Sequence, residues 1–256
     1  MKNKLKYDFV VLTPGRAGSN HLMYTLKKST DALIDFEIFN QVSWEEESFN
    51  VFINQSIQNK TFGFLFNRNI ISRVKFNIPL EYLIRKFLFN HSNKNQIRGF
   101  RLTFEQAYRY PYVLKYLVKN NIKIIFLDRE DSLSMIFSLL KARKTLNYLT
   151  DKVDEEPQKT FKFSPLTVLQ HLVNYKKEKK YLENQLIQYS SIYKLTYESL
   201  FSDYEKEYSN ILSFLSLVNK DNKIHYTALK KINDQPLKKW VENYDEIITY
   251  IKHNPH

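Results

Sequence analysis

The chain has 256 residues, 43% of them hydrophobic and 15% aromatic, and this composition suits one domain with a sizeable core. It has no cysteine, which excludes disulfides, thiolate metal sites and a cysteine nucleophile; no signal peptide and no run of roughly 18 apolar residues is present, so we expect a cytoplasmic protein without a membrane span. The net charge of +12 favours anionic ligands of every kind, but no nucleic-acid-binding motif accompanies it, and we expect no specific nucleic-acid partner.

Strand-like and helix-like segments alternate from the N-terminus onward. A buried apolar strand, a helix and a second strand are predicted at Tyr7–Leu12, Ser19–Lys28 and Ala32–Phe39. The polar, Asn-rich stretch that follows has little periodicity, and we expect a variable, substrate-contacting insertion at about 41–78. Pro79 then occupies the favoured first position of another helix.

The remainder of the chain continues this alternation. Ser164 followed by Pro165 is typical of a helix start, an N-cap residue before a first-turn proline. Strands are predicted at Ile97–Leu102, Lys123–Leu127 and Tyr193–Thr196, and helices at about 112–120, 131–147, 164–187, 203–217 and 236–252. The pattern predicts one α/β domain over 1–256 with a mainly parallel sheet, whose ligands bind beyond the carboxyl ends of the strands.

The loop TPGRAGSN directly follows the first strand and contains two of the four glycines of the chain. A strand, a glycine turn and a helix start present backbone N–H groups to an anion, and Arg16 adds a fork of charged donors. The loop lacks the lysine of a Walker A motif and the third glycine of a dinucleotide fingerprint. An ordinary strand-to-helix turn is the competing interpretation.

A second segment, KIIFLDREDSLSMIFSLLKAR, combines a strand, a charged turn and a helix. Arg129 at the strand end and Ser138 in the helix could bracket an anion. Alternatively, Arg129 forms a surface ion pair with Glu130 or Asp131, and Ser138 is a small packing residue.

The two segments together resemble the nucleotide-binding motifs of sulfotransferases that use 3′-phosphoadenosine-5′-phosphosulfate (PAPS), in a bacterial branch similar to trehalose and other carbohydrate sulfotransferases. Weaker likenesses lie at Gly99–Leu102, Thr196–Leu200 and near the C-terminus. The resemblance implies a P-loop-like three-layer fold, with a central, mainly parallel sheet flanked by helices. It also implies PAPS as co-substrate, 3′-phosphoadenosine-5′-phosphate (PAP) as product, and no metal.

The resemblance further implies roles for individual residues. Arg129 and Ser138 correspond to the 3′-phosphate site, and Arg16 to the group that stabilises the leaving oxygen. Glu37 corresponds to the general base that takes the proton of the acceptor. His21 is the rival base, and a strand-end carboxylate paired with a lysine is the alternative for Glu37. The 5′-phosphosulfate loop corresponds to Arg16, Ala17, Gly18, Ser19, Asn20 and His21.

The acceptor implied by the resemblance is a carbohydrate, a glycolipid or a small alcohol, and a homodimer is compatible with it. Two other functions remain open from the residues alone. One is a P-loop kinase or phosphotransferase in which Asp128 acts as a Walker B carboxylate. The other is a basic module that binds nucleic acid or an anionic glycan.

Overall fold

The computed structural model describes residues 7–39, 88, 96–145, 160–221, 224 and 236–255. Five strands form one parallel sheet in the order β2-β3-β1-β4-β5. The central strand β1 pairs with β3 on one side and β4 on the other. The strands are β1 (Phe9–Thr13), β2 (Leu33–Asp35), β3 (Arg98–Thr103), β4 (Lys123–Asp128) and β5 (Ile192–Thr196).

Nine helices lie among the described residues, and several begin at the predicted signals. Ser164 accepts a hydrogen bond from the Thr167 amide at the start of the longest helix, as the Ser-Pro pair predicts. The helices are α1 (Ser19–Ser29), α2 (Phe104–Arg109), α3 (Pro111–Lys119), α4 (Ser132–Thr145), α5 (Pro165–Gln185), α6 (Tyr197–Ser202), α7 (Tyr204–Leu215), α8 (Leu237–Trp240) and α9 (Tyr244–His253).

Alternate side chains of the strands face opposite sides of the sheet and bury two separate cores. Val10 and Phe100 face the core shared with α2, α3, α4, α5 and α9. Val11 and Ile125 face the core shared with α1, α6 and α7. The predicted fold, a three-layer α/β domain with a parallel sheet flanked by helices, is confirmed. None of the described helices has the length and apolarity needed to cross a membrane.

Two predicted elements end earlier than their residue patterns suggest. The strand predicted over Ala32–Phe39 stops at Asp35, because the Phe36 carbonyl accepts the Arg101 amide at 3.1 Å and then the Ile38 amide at 3.1 Å, which turns the chain. The helix predicted over 203–217 is α7, which begins where the side chain of Asp203 accepts the Lys206 amide at 3.2 Å and ends at Leu215. The short helix α6, which precedes it, was not predicted.

The C-terminal helix predicted over 236–252 is divided into α8 and α9. Val241 pairs with Phe161 in an isolated parallel bridge, and Asn243 exchanges two hydrogen bonds with the backbone of Phe163. These contacts replace helical hydrogen bonds between α8 and α9. The insertion predicted at about 41–78 and the helix beginning at Pro79 lie outside the described residues, apart from the helical, buried Leu88.

Candidate functional site

The loop between β1 and α1 lies at the carboxyl edge of the sheet, and Gly18 determines its shape. Gly18 has φ 76° and occupies the N-cap position of α1. A Cβ atom there would lie 2.7 Å from the Phe201 ring and 2.9 Å from the Tyr197 ring. The first turn of α1 contains no acidic residue, and its N-cap residue, a glycine, has no side chain to cap it. The amides that begin α1 therefore face the loop with the positive end of the helix dipole.

Arg16 joins this loop to the second motif. Its Nε donates a hydrogen bond to Ser138 Oγ on α4 at 3.1 Å. Its own carbonyl accepts a hydrogen bond from Arg129 Nη1 at 2.9 Å. Arg16 also has φ 68°, a left-handed conformation that a non-glycine residue keeps only where its surroundings hold it. The loop and the strand-to-helix turn of β4 thus meet through the backbone and side chain of one arginine.

The side chain of Arg129 is 13% exposed and lies against α6. Its guanidinium carbon is 4.5 Å from the centre of the Tyr197 ring, a cation–π contact. Its Nε lies 4.0 Å from a carboxylate oxygen of Glu198 and is buried without a hydrogen-bond partner among the described residues. A buried donor in this state costs free energy unless an acceptor arrives, so the guanidinium is suited to an anionic ligand.

The turn that carries Arg129 is also held from the side of β5. The Glu198 carboxylate accepts the amides of Glu130 at 3.0 Å and Asp131 at 3.3 Å. In return, the Thr196 hydroxyl donates to the Glu130 side chain at 3.1 Å. The Glu198 carboxylate therefore occupies the two amides that precede α4. An incoming anion would bind to the side chains of Arg129 and Ser138 instead.

Glu37 and the loop are linked by Arg101, a residue of β3. One Nη atom of Arg101 donates to Glu37 Oε1, and the other donates to the side chains of Asn20 and Ser19. The Arg101 side chain is 12% exposed and that of Glu37 is 30% exposed. The predicted base thus forms an ion pair with Arg101.

The rival base, His21, contacts residues of α6 and α7. Its Nδ1 is 3.1 Å from the Tyr204 hydroxyl, and its ring meets Phe201 and Tyr204 edge-on at 5.3 and 4.9 Å. Burial lowers the pKa of His21 below its ordinary value. His21 is thus part of the aromatic packing between α1, α6 and α7, and the carboxylate of Glu37 is the base candidate joined to the loop.

Asp128, the last residue of β4, is buried and has both carboxylate oxygens occupied. Oδ1 accepts from the Tyr175 hydroxyl at 2.6 Å, and Oδ2 lies 2.5 Å from Lys179 Nζ. A Walker B carboxylate must face a nucleotide-bound metal ion, whereas Asp128 faces α5. No group of three or more His, Cys, Asp or Glu side chains could hold a metal ion in the part of the chain that the structure describes.

The structure brings the two predicted motifs into contact and adds residues that the motifs did not indicate. Arg101 and Tyr197 belong to two of the weaker sequence likenesses, but only their contacts show that they adjoin the loop. Lys179 lies in the segment KKEKK, which resembles a solvated helix face in sequence. An arginine at the carboxyl end of a strand next to β1 is the one signal that could have pointed to Arg101.

No family model matches this chain, and no curated protein matches it. Among solved structures, the sulfotransferase from Alicyclobacillus acidocaldarius is similar over 98% of this chain and 96% of its own, with 10% identity and a TM-score of 0.48. The sulfotransferase domain from the curacin biosynthetic pathway covers 95% and 87%, with 14% identity and a TM-score of 0.47. Mouse sulfotransferase SULT7A1 complexed with PAP covers 97% and 85%, with 14% identity and a TM-score of 0.43.

Proposed function

We propose that this protein transfers a sulfuryl group from PAPS to an acceptor hydroxyl. The observation that carries the proposal is the contact between the two sequence motifs, in which Arg16 donates to Ser138 and Arg129 donates to the Arg16 carbonyl. Arg16 and Arg129, one in each motif, are 113 positions apart in the sequence. Their meeting at one edge of the sheet is what a nucleotide with two separated anionic groups requires.

Arg129 and Ser138 are assigned to the 3′-phosphate. The buried Arg129 Nε without a hydrogen-bond partner gains an acceptor when a phosphate oxygen approaches it. Ser138 Oγ accepts from Arg16 and keeps its own hydroxyl hydrogen for donation. The pair would therefore distinguish PAPS and PAP from nucleotides that lack the 3′-phosphate.

The loop from Arg16 to Asn20 is assigned to the 5′-phosphosulfate. Gly18 lets the backbone come close to the ligand, and the first amides of α1 together with its dipole favour an anion there. Arg16 and Arg101 supply two guanidinium groups at the two ends of this loop. Such donors stabilise the negative charge that develops on the departing phosphate oxygen.

In the proposed reaction the acceptor oxygen forms a bond to sulfur as the bond from sulfur to the 5′-phosphate oxygen breaks. PAP leaves with the electron pair of the broken bond, and Glu37 takes the proton of the acceptor hydroxyl. Arg101 holds the Glu37 carboxylate next to the loop, so that the base and the donor group face the same region. The resemblance favours a carbohydrate or glycolipid hydroxyl as the acceptor.

A thermal-shift titration tests the nucleotide assignment. We expect PAP to raise the melting temperature more than ADP at equal concentration, because at one concentration the ligand with the lower Kd stabilises the fold more. An oligonucleotide serves as the third ligand, because it would raise the melting temperature of a basic nucleic-acid-binding module more than PAP or ADP would. Equal shifts with PAP and ADP would refute the 3′-phosphate assignment.

The kinase alternative is weaker because of the surroundings of Asp128. Its carboxylate is engaged by Tyr175 and Lys179, and the loop after β1 has no lysine to contact a γ-phosphate. A stronger shift with ATP and magnesium than with PAP in the same titration would favour that alternative.

A further inference from the structure

Two residues of α5 reach the strand end that carries Arg129. Tyr175 and Lys179 lie one helical turn apart and contact different oxygens of the same carboxylate, Asp128, at 2.6 and 2.5 Å. Asp128 immediately precedes Arg129 in the chain. The Tyr175 hydroxyl also lies within 3.3 Å of the Arg129 carbonyl.

Burial gives these contacts their strength. Asp128 is 6% exposed and Tyr175 is 9% exposed, so the carboxylate has little access to water and depends on its two partners. Burial, and then the hydrogen bond to Asp128, raise the pKa of Tyr175 far above its ordinary value. The phenol therefore remains a donor at every physiological pH.

The network holds one side of the turn after β4, and Glu198 holds the other through the amides of Glu130 and Asp131. Between these two supports the Arg129 side chain extends to the Tyr197 ring and the Arg16 carbonyl. A guanidinium with a buried, unpartnered Nε keeps this position only if its own backbone cannot shift.

We propose that Tyr175 and Lys179 are positioning residues that determine selectivity for the 3′-phosphate of the nucleotide. They act through Asp128, which fixes the peptide of Arg129 and thereby the direction of its guanidinium. This inference rests on the proposed function, and it assigns a role to one lysine of the segment KKEKK. Lys176 and Lys180, its neighbours in that run, are exposed.

Isothermal titration calorimetry of the full-length chain with PAP and with ADP tests this role. For Tyr175→Phe and for Lys179→Met we expect the affinity for PAP to fall roughly five- to tenfold, less than for the loss of a direct hydrogen bond to a charged group, because both residues act through Asp128. The affinity for ADP should stay within about twofold, because its contacts lie at the loop after β1. Lys179→Arg, which keeps a cation at Asp128, should recover most of the PAP affinity.

Two matched variants on α5 control for general damage to the helix. Tyr181→Phe removes a hydroxyl at a ring that packs edge-on against Tyr108, and Lys176→Met removes an exposed cation. Both should bind PAP and ADP as the unmodified protein does. Thermal melts without nucleotide show whether each variant is folded. If Tyr175→Phe is not folded, Lys179→Met alone tests the positioning role.

The outcomes separate this inference from the proposed function. If the unmodified protein does not prefer PAP over ADP, the proposed function and this role fail together. If it does prefer PAP but both α5 variants keep that preference, or lose PAP and ADP affinity equally, only the positioning role is overturned.

Discussion

Two glycines flank Arg16 in the loop after β1, and their surroundings differ. Gly18 has φ 76°, and a methyl group on it would overlap the rings of Tyr197 and Phe201. Beyond its two chain neighbours, Gly15 has no atom of the described residues within 4 Å of the position that its Cβ would take, and its φ is not in the left-handed region. Only one of the two therefore requires the absence of a side chain.

We expect Gly18→Ala to lower the free energy of unfolding by about 1 kcal/mol or more, from the positive φ and the ring contacts together. Gly15→Ala should change the free energy of unfolding by less than about 1 kcal/mol. The change is stabilising where the lower conformational entropy of the unfolded chain dominates. Urea unfolding of both variants measures the difference. Equal destabilisation by the two substitutions would contradict this account of the loop.

Arg16 illustrates how a strained residue is held at this site. Its left-handed conformation costs about 1–3 kcal/mol in a residue that carries a Cβ. The hydrogen bond from Arg129 to its carbonyl and the bond from its Nε to Ser138 offset that cost. Strain maintained by contacts from two other elements is a feature of binding sites, and it agrees with the assignment of this loop to an anionic ligand.

Glu37 is expected to act only in the chemical step. Glu37→Gln keeps the shape of the side chain but cannot take a proton, so turnover should fall by at least about 100-fold, while PAP affinity stays within about twofold. Turnover is measured as PAP release from PAPS with an acceptor found by screening sugars and small alcohols.

The matched control for that substitution is Asp35→Asn. Asp35 is the last residue of β2, two positions before Glu37. One of its carboxylate oxygens lies 2.7 Å from Arg98 Nε, and its side chain is 14% exposed. Its loss should reduce stability and leave turnover per folded molecule unchanged. Normal turnover in Glu37→Gln would remove Glu37 as the base.

At the scale of helices, the contact between α2 and α5 contains a carboxylate that resists ionisation. Burial raises the pKa of Glu178 to about 7, and the nearby charge of Glu105 adds to this, while Arg109 and Lys177 oppose it. The folded protein therefore holds this proton more tightly than the unfolded chain does between about pH 4.5 and 7. The contribution of Glu178 to stability falls as the pH rises through that window.

Glu178→Gln removes this dependence, because the amide has no proton to lose. We expect the variant to be more stable than the unmodified protein at pH 8 and to gain little at pH 5. Thermal or urea unfolding at both values measures the difference, with Glu183→Gln, an exposed position on the same helix, as the control. A gain of equal size at both pH values would contradict the sign of the shift.

The elements that sequence could predict are those whose signals are local. The apolar runs of β1 and β4 and the Ser-Pro start of α5 carry their own information, and the structure has all three. The end of β2 and the break between α8 and α9 depend on partners distant in sequence, such as Phe161 for Val241. No window along the chain contains that information.

The same distinction applies to the site. The resemblance of two motifs singled out Arg16, Ser138 and Arg129, and these three residues are in contact. The motifs do not indicate Arg101, because its link to the loop depends on β3 lying beside β1 in the sheet. The sequence does not indicate Lys179 either, because a run of lysines does not show which one contacts the end of a strand.

At the scale of the whole molecule, the order of the strands concentrates positive charge at one edge. Because β3, β1 and β4 are neighbours, Arg101, Arg16 and Arg129 lie at the ends of three adjacent strands. Two of them, Arg101 and Arg129, have side chains only 12% and 13% exposed. The chain has a net charge of +12, so this buried positive edge is set within a surface that also attracts anions.

The two kinds of positive charge should respond differently to salt. A polyanion on the outer surface releases counterions from many contacts, so its affinity falls steeply as salt rises. A bisphosphate nucleotide held by partly buried guanidinium groups is screened less. We expect the affinity for a single-stranded oligonucleotide to fall much more than the affinity for PAP between about 0.05 and 0.3 M NaCl.

Fluorescence anisotropy with a labelled oligonucleotide and calorimetry with PAP, at both salt concentrations, measure the two slopes. Arg129→Ala separates the sites further: it should weaken PAP binding at both concentrations and change oligonucleotide binding by no more than the loss of one phosphate contact. If the two ligands lose affinity in parallel, and Arg129→Ala affects them equally, they share one surface. The bisphosphate would then be bound by net charge alone rather than by the converging arginines.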